Sequence, residues 1–221
     1  MASTSDDLFA SIEAVDVDRV RALLEQDPTL AVARDTAGVS ALMQARYRFD
    51  RGLIEAVKDL VPQLDVFEAA AFGDVDRLTL LLSDDPTSVG AISGDGFTPL
   101  HFAAFFGQRD AVVLLLARGA DVEARGTGWM TGTALNSAAS RGRSDIALLL
   151  LDAGADVNAT QAASYTPLHS AAHIGDAELT GRLLDRGADP TLVTEDGRDA
   201  LSLARENADA ATIALLEQAT R

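Results

Sequence analysis

The chain has no cysteine among its 221 residues, a single lysine, Lys58, and an aromatic content of only 5%. The lack of thiols excludes disulfides and thiolate chemistry. No apolar run approaches the roughly 18 residues that a membrane-spanning helix needs. The N-terminus lacks the basic and apolar regions of a secretory signal. These absences predict a cytoplasmic protein with no membrane contact, and the preference for arginine over lysine indicates a bacterium with a G+C-rich genome.

Positive charge is also scarce, because 34 acidic residues face 18 basic ones and the formal net charge is -16. The acids are spread along the chain, and no stripe of arginine interrupts them. A negative field repels phosphate backbones, so nucleic acid is not an expected partner. The charge can serve solubility alone, or it can attract a basic partner surface, and the sequence leaves both interpretations open.

A short motif repeats in the second half of the chain. Thr98-Pro99-Leu100-His101 recurs as Thr166-Pro167-Leu168-His169, and Thr133-Ala134-Leu135-Asn136 stands between the two copies. Each copy is followed by an alanine-rich segment, an apolar run and the tripeptide Gly-Ala-Asp. A fixed period of just over thirty residues predicts short units that bury their apolar faces by stacking on one another.

The residues of one unit predict two helices separated by a turn. Thr98 suits an N-cap position and Pro99 the first helical position, where a missing N–H costs nothing. Gly107 is expected to end this first helix. A second helix begins at about Asp110, and Gly119 supplies the left-handed residue after its end.

Together these residues resemble an ankyrin repeat. The resemblance implies an all-α solenoid of stacked antiparallel helix pairs with short β-hairpin or loop fingers, in about seven repeats that include degenerate terminal caps. It predicts one domain over residues 1–221, with approximate repeats at 5–36, 37–62, 63–92, 93–125, 126–160, 161–193 and 194–221.

The N-terminal repeats are cryptic, because they lack the Thr-Pro-Leu-His motif. Val15-Asp16-Val17-Asp18-Arg19-Val20 and Gly73-Asp74-Val75-Asp76-Arg77-Leu78 are related segments, each followed by a leucine pair and Asp-Pro. The repeat between them is truncated at Val61-Pro62-Gln63, where the family has a projecting finger. We therefore expect one finger to be missing, with a gap in the row of fingers.

No pattern of residues predicts catalysis, a metal or a cofactor. The resemblance gives His101 and His169 a structural role, as hydrogen-bonding groups between repeats. His169 and His173 have the i, i+4 spacing of a metal-binding pair, but no third ligand is evident. The run Arg46-Tyr47-Arg48-Phe49-Asp50-Arg51 suits either a solvated turn or an arginine clamp for an anionic group.

Binding is expected on the concave side, at the outward-facing positions that the resemblance implies. These positions hold mostly aromatic residues and are Phe72, Phe97, Phe105, Phe106, Arg141, Tyr165, His173 and Ile174. Trp129 and Met130 lie in a finger that is two residues longer than its neighbours, and tryptophan often anchors binding hot spots. In the alternative interpretation, Trp129 folds back onto Phe97 and Phe105, while Phe72 and Phe106 extend the core.

The sequence thus predicts a non-catalytic module that binds a protein or peptide, and that partner is basic if the charge serves attraction. An alternative is a small-molecule binder or enzyme, with a pocket built from the same aromatic residues and His173. The chain is expected to be a monomer, with self-association through the aromatic face as the other option.

Overall fold

The computed structural model of the chain describes residues 4–128, 131–207 and 209–221. Within this part, fourteen α-helices follow one another as seven consecutive pairs: α1 (Ser5–Glu13) and α2 (Val17–Gln26), α3 (Ala41–Tyr47) and α4 (Arg51–Lys58), α5 (Val66–Phe72) and α6 (Val75–Asp84), α7 (Pro99–Phe106) and α8 (Arg109–Ala117), α9 (Ala134–Ser140) and α10 (Ser144–Asp152), α11 (Pro167–Ile174) and α12 (Ala177–Asp185), α13 (Ala200–Asn207) and α14 (Ala210–Ala219). The all-α repeat fold is confirmed, whereas the repeat boundaries stay a prediction.

Short irregular segments connect these helices. Three 3₁₀ helices, at Pro28–Val32, Pro86–Gly90 and Ala162–Ser164, lie in the connections. Isolated antiparallel bridges pair Arg34 with Ser40 and Val193 with Asp199. None of the helices in the described ranges is long and apolar enough to cross a membrane.

Helix α7 shows how the motif residues set the bounds of a first helix. The hydroxyl of Thr98 accepts a hydrogen bond from the backbone N–H of His101, and Pro99 occupies the first turn. Gly107 ends the helix in the left-handed region at φ 79°, a conformation that glycine adopts without steric cost. The start and end predicted from the sequence are therefore confirmed for this helix.

The chain forms two compact units. The first contains the described residues up to Glu68 together with Ser93–Asp95, and the second contains Ala69–Ile92 with the described residues of Gly96–Arg221. In the second unit, α9 packs against α7 and α11, and α11 packs against α13. Fully buried alanines, such as Ala103, Ala138 and Ala171, allow these first helices to approach closely.

In the first unit, α1 packs against α3 and α2 packs against α4. The connection after α4 spans only residues 59–65, whereas the connection after α8 spans residues 118–133. This short connection agrees with the predicted loss of one finger.

The expected gap in the row of fingers is wrong, however, because the two neighbouring fingers meet directly. A Cβ atom on Gly94 would lie 1.8 Å from the carbonyl oxygen of Ala37. The hydroxyl of Tyr47 also donates a short hydrogen bond to Asp95. The fingers at residues 35–38 and 93–95 therefore close the space that the shortened repeat leaves.

Candidate binding surface

The two motif histidines each join a first helix to the connection that precedes the next helix pair. His101 Nδ1 accepts a hydrogen bond from the backbone N–H of Thr98 at 3.3 Å, so Nε2 carries the proton and donates to the Gly132 carbonyl at 3.1 Å. His169 repeats this arrangement with Thr166 and the Leu192 carbonyl, at 3.2 and 3.0 Å. The predicted hydrogen bond between repeats is confirmed for His101, whereas the acceptor of His169 lies within the predicted bounds of its own repeat, residues 161–193.

Burial lowers the pKa of His101 and of His169, and the hydrogen bonds to carbonyl oxygens oppose the shift. A neutral ring suits the observed pattern, because protonation of Nδ1 would remove the acceptor that the threonine N–H uses. Both nitrogens of His169 are thus engaged inside the protein. This leaves the pair of His169 and His173 unsuited to metal binding, and among the described residues no group of three potential ligands comes together.

Asn136 replaces the histidine in the repeat between them. Its side-chain oxygen accepts from the backbone N–H of Thr133 at 2.9 Å, and its amide nitrogen donates to the Ala159 carbonyl at 2.9 Å. An asparagine thus makes the same two contacts as the histidine ring. The change from His to Asn in this motif therefore keeps both hydrogen bonds.

Two of the predicted binding residues lie in the core. Phe97 and Phe106 are only 3% and 5% exposed. The ring of Phe97 packs against His101 and edge-on against Phe102, with centroids 5.8 and 5.9 Å apart. Their expected outward orientation is wrong, because each ring completes the packing around a first helix. For Phe106, this is the alternative that the sequence left open.

Phe105 and Arg141 do form a surface contact. The Phe105 ring is half-buried and packs edge-on against Phe106 at 5.1 Å. The guanidinium carbon of the exposed Arg141 lies 5.2 Å from the centre of the Phe105 ring. A cation over an aromatic face contributes about 0.5–1 kcal/mol at an exposed site, so the ring favours this position of the guanidinium.

The same surface continues onto α11. A Cβ atom on Gly142, next to Arg141, would lie 3.3 Å from Ile174 Cδ1, and Ile174 is 44% exposed. His173 is exposed beside it, and its backbone carbonyl accepts a hydrogen bond from the Asn207 side chain. Residues from the ends of α7, α9 and α11 thus form one stretch. We call Phe105, Arg141, His173 and Ile174 the first-helix surface.

Phe72, at the end of α5, belongs to the second unit and is half-buried. Tyr165 is also half-buried, and its ring packs 5.5 Å from His169. Burial raises the pKa of Tyr165, an effect that the nearby Arg198 opposes. Tyr165 therefore lies beside the motif histidine, at the position that Phe97 occupies in its own repeat, but it keeps partial access to solvent.

The finger that precedes Tyr165 has a feature that the sequence did not indicate. Ala163 and Ser164 both adopt left-handed backbone conformations, at φ 57° and 59°, which cost free energy for residues with a Cβ atom. The carbonyl of Ala163 accepts a hydrogen bond from the backbone N–H of Glu195 at 3.0 Å. No glycine or asparagine marks this turn, so the sequence offered no signal for it.

Trp129 and Met130 lie outside the described residues. The base of their finger is described, and Gly126 N–H donates to the Gly132 carbonyl at 2.9 Å. Thr127 N–H donates to the Gly96 carbonyl, also at 2.9 Å. The base of this finger is therefore hydrogen-bonded to the preceding finger at Gly96. The predicted anchor role of Trp129 stays a prediction.

The basic run of the first unit does not form a single clamp. Arg51 pairs with Glu55 at 2.6 Å, and Tyr47 is bound to Asp95, which together with burial raises the pKa of the tyrosine. Phe49 is 48% exposed and has a left-handed backbone at φ 55°. The residues of the run thus serve different contacts within the first unit.

Comparisons with known proteins agree with this geometry. A family model described as "Ankyrin repeats (3 copies)" matches residues 66–161, and one described as "Ankyrin repeats (many copies)" matches residues 150–204. Together the matched ranges cover more than half of the chain. Ankyrin repeats are generally protein–protein interaction modules.

Two curated proteins match shorter stretches. "Ankyrin repeat and SAM domain-containing protein 6" of Rattus norvegicus is 37% identical over 76 residues, which are 34% of this chain and 8% of the relative. "Transient receptor potential cation channel subfamily A member 1 homolog" of Caenorhabditis elegans is 44% identical over 55 residues, 25% of this chain and 4% of the relative. The chain thus matches small parts of much longer animal proteins, and the expected bacterial origin is not borne out.

Proposed function

Because the chain belongs to the ankyrin-repeat family, we propose that it binds another protein or a peptide through the first-helix surface. The contact between Phe105 and Arg141 is the observation that carries this proposal. Aromatic residues and arginine are the residue types that dominate binding hot spots. The surface crosses three successive helix pairs, as a face that binds an extended or helical segment requires.

This surface suits a partner that offers both apolar groups and hydrogen-bond acceptors. Ile174 and the Phe105 ring offer apolar area, whereas Arg141 can donate hydrogen bonds to a carboxylate or a backbone carbonyl. Because the ring already orients the guanidinium, Arg141 loses less conformational freedom on binding than an unsupported arginine would. Tyr165 and Phe72 extend the proposed surface toward the fingers and toward α5, and the predicted anchor role of Trp129 is part of the same proposal.

A pull-down with matched variants tests this proposal. Wild-type protein, the double variant Phe105→Ala/Arg141→Ala and the control Val113→Ala would each be immobilised and exposed to lysate of the source organism. Val113 is a suitable control because it is 43% exposed on α8, the second helix of the same pair. Circular dichroism would first establish that all three proteins are folded.

We expect at least one protein that is retained by wild type and Val113→Ala, and reduced about tenfold or more by the double variant. Equal retention by all three proteins would contradict the proposed surface. If wild type retained nothing specifically, the proposal of a protein-binding module would itself be contradicted.

A further inference from the structure

A groove with a volume of about 660 Å³ lies in the first unit, and none of the binding residues proposed above lines it. Arg21, Leu24 and Glu25 of α2 form one wall, and Glu55 of α4 lies in the other. Residues 59 and 60, which follow α4, continue that second wall. The groove therefore runs between the second helices of the first two pairs, where sequence reasoning placed no site.

The shortened second repeat explains why the groove is there. Counted from their N-caps, Asp16 and Asp50, helix α2 has ten residues and α4 has eight. The chain then crosses to α5 by residues 59–65 instead of continuing into a long finger. The groove is lined by Leu24 and Glu25 near the end of α2 and by residues 59 and 60, where the shorter α4 has already ended.

The groove combines apolar surface with negative charge. Leu60 is 40% exposed at its edge, and Leu24, Pro28 and Ala56 contribute further apolar atoms. Three of the lining residues are acidic and one is basic, in a chain whose net charge is -16. A ligand complementary to this lining offers both apolar and cationic groups.

The three carboxylates of the groove differ in whether they form an ion pair within the protein. Glu55 pairs with Arg51 at 2.6 Å. Across the described ranges, by contrast, no ion pair involves Glu25 or Asp59, and both side chains are exposed. Glu25 and Asp59 come from the two opposite walls, so they can pair with cations on both sides of one bound segment.

We propose that this groove is a second protein-binding site, which takes a segment with an apolar side chain flanked by lysine or arginine. The apolar side chain packs against Leu60 and Ala56, and the flanking cations pair with Glu25 and Asp59. This occupant follows from the charge and the exposed leucine of the groove, and it does not depend on the first-helix surface.

Two synthetic peptides provide the test: a short peptide in which lysine alternates with leucine, and the same peptide with glutamate in place of lysine. Each would be titrated into ¹⁵N-labelled full-length protein, with backbone amide shifts followed by NMR. We expect the lysine peptide to shift the amides of Arg21, Glu25, Ala56 and Leu60, and the glutamate peptide to leave them unchanged. A lysine peptide that leaves the groove amides unshifted at millimolar concentration would overturn the proposal.

Charge-matched variants separate the groove from general attraction to an acidic protein. Glu25→Gln/Asp59→Asn and the control Glu178→Gln/Asp185→Asn each remove two negative charges, and the control residues lie on α12 of the second unit. Two exposed ion pairs correspond to roughly a fivefold change in affinity. We expect that loss in the groove variant and less than a twofold change in the control.

Equal weakening by the two double variants would overturn the proposal, because it would mean that only the net charge attracts the peptide. Leu60→Ser provides an independent readout of the apolar contact and is expected to weaken binding without altering the net charge. Concentration-dependent shifts of the groove amides without any peptide would also contradict the proposed occupant, since a second copy of the chain would then fill the groove.

Discussion

At the scale of single residues, one position makes the same contacts in three of the first helices. His101, Asn136 and His169 occupy the third helical position of α7, α9 and α11, and each donates to a backbone carbonyl in the connection that precedes the next helix pair. Each also accepts a hydrogen bond from the backbone N–H of the threonine at the N-cap of its own helix. One side chain therefore caps its helix and joins it to the connection that precedes the next helix pair.

We predict that His101→Ala destabilises the protein by about 2 kcal/mol, because the buried N–H of Thr98 loses its acceptor and the Gly132 carbonyl keeps only one of its two donors, the N–H of Gly126. His101→Asn should cost less than half as much, since Asn136 already makes both contacts in the next repeat. Urea unfolding of the two variants and wild type checks this prediction. Equal destabilisation by alanine and asparagine would contradict the role given to the hydrogen bonds.

The lowered pKa of both motif histidines gives the unfolding free energy a pH dependence. In the unfolded chain each ring binds a proton near its ordinary pKa of about 6.5, whereas the folded protein disfavours the charged ring. The stability that the two neutral histidines contribute is therefore complete when the pH is above the ordinary pKa. It decreases as the pH falls toward the lowered pKa values of the folded protein. The double variant His101→Asn/His169→Asn should show a smaller loss of stability between pH 7.5 and 5 than wild type. If the unfolding free energy of the double variant depended on pH as strongly as that of wild type, the two histidines would not be the source of the pH dependence.

The sequence predicted the motif residues well, because threonine, proline, histidine and glycine each have a local reason for their position. The outward residues were predicted less well. Phe105 and Phe106 are adjacent in the chain, yet one is half-buried at the surface and the other is in the core. Their exposure depends on side chains of the neighbouring repeat, and a family position alone does not specify those contacts.

At the scale of elements, the truncated second repeat is the main departure from a regular array. Its short connection at residues 59–65 could be inferred from the sequence, because the repeat is visibly too short. The direct contact between the fingers at residues 35–38 and 93–95 could not be inferred, since it joins segments more than fifty residues apart. It requires the backbones at Ala37 and Gly94 to approach closely.

We predict that Gly94→Ala destabilises the protein by about 1–3 kcal/mol, as expected for overpacking, because its Cβ atom would lie 1.8 Å from the Ala37 carbonyl oxygen. Gly90→Ala is the matched control in the same connection, since a Cβ atom there would have no neighbour within 4 Å. Its effect should stay within about 0.5 kcal/mol. Thermal unfolding of the two variants would measure the difference, and similar values would show that the fingers do not depend on this contact.

At the scale of the whole molecule, the dominant property is the net charge of -16. Like charges repel one another across a folded surface, and salt reduces this repulsion as the Debye length falls from about 30 Å at 0.01 M to about 8 Å at 0.15 M. The exposed ion pairs, such as Arg205 with Glu217 and Arg186 with Asp152, contribute little at any salt concentration.

We therefore predict that the free energy of unfolding increases when sodium chloride is raised from 0.01 to 0.15 M. Denaturation by urea is suitable for this measurement because urea, unlike guanidinium, adds no ions. A decrease in stability with salt would show that favourable ion pairs outweigh the repulsion among the acidic residues.

The most direct test of the proposed function is site-specific photocrosslinking in cells of the source organism. p-Benzoylphenylalanine would replace either Ile174 on the first-helix surface or Val113 on α8, residues of matched exposure at 44% and 43%. We expect a discrete covalent adduct with another protein from position 174, weakened by Phe105→Ala, and none from position 113. Adducts from position 113 alone, or the same adducts from both positions, would contradict binding through the first-helix surface.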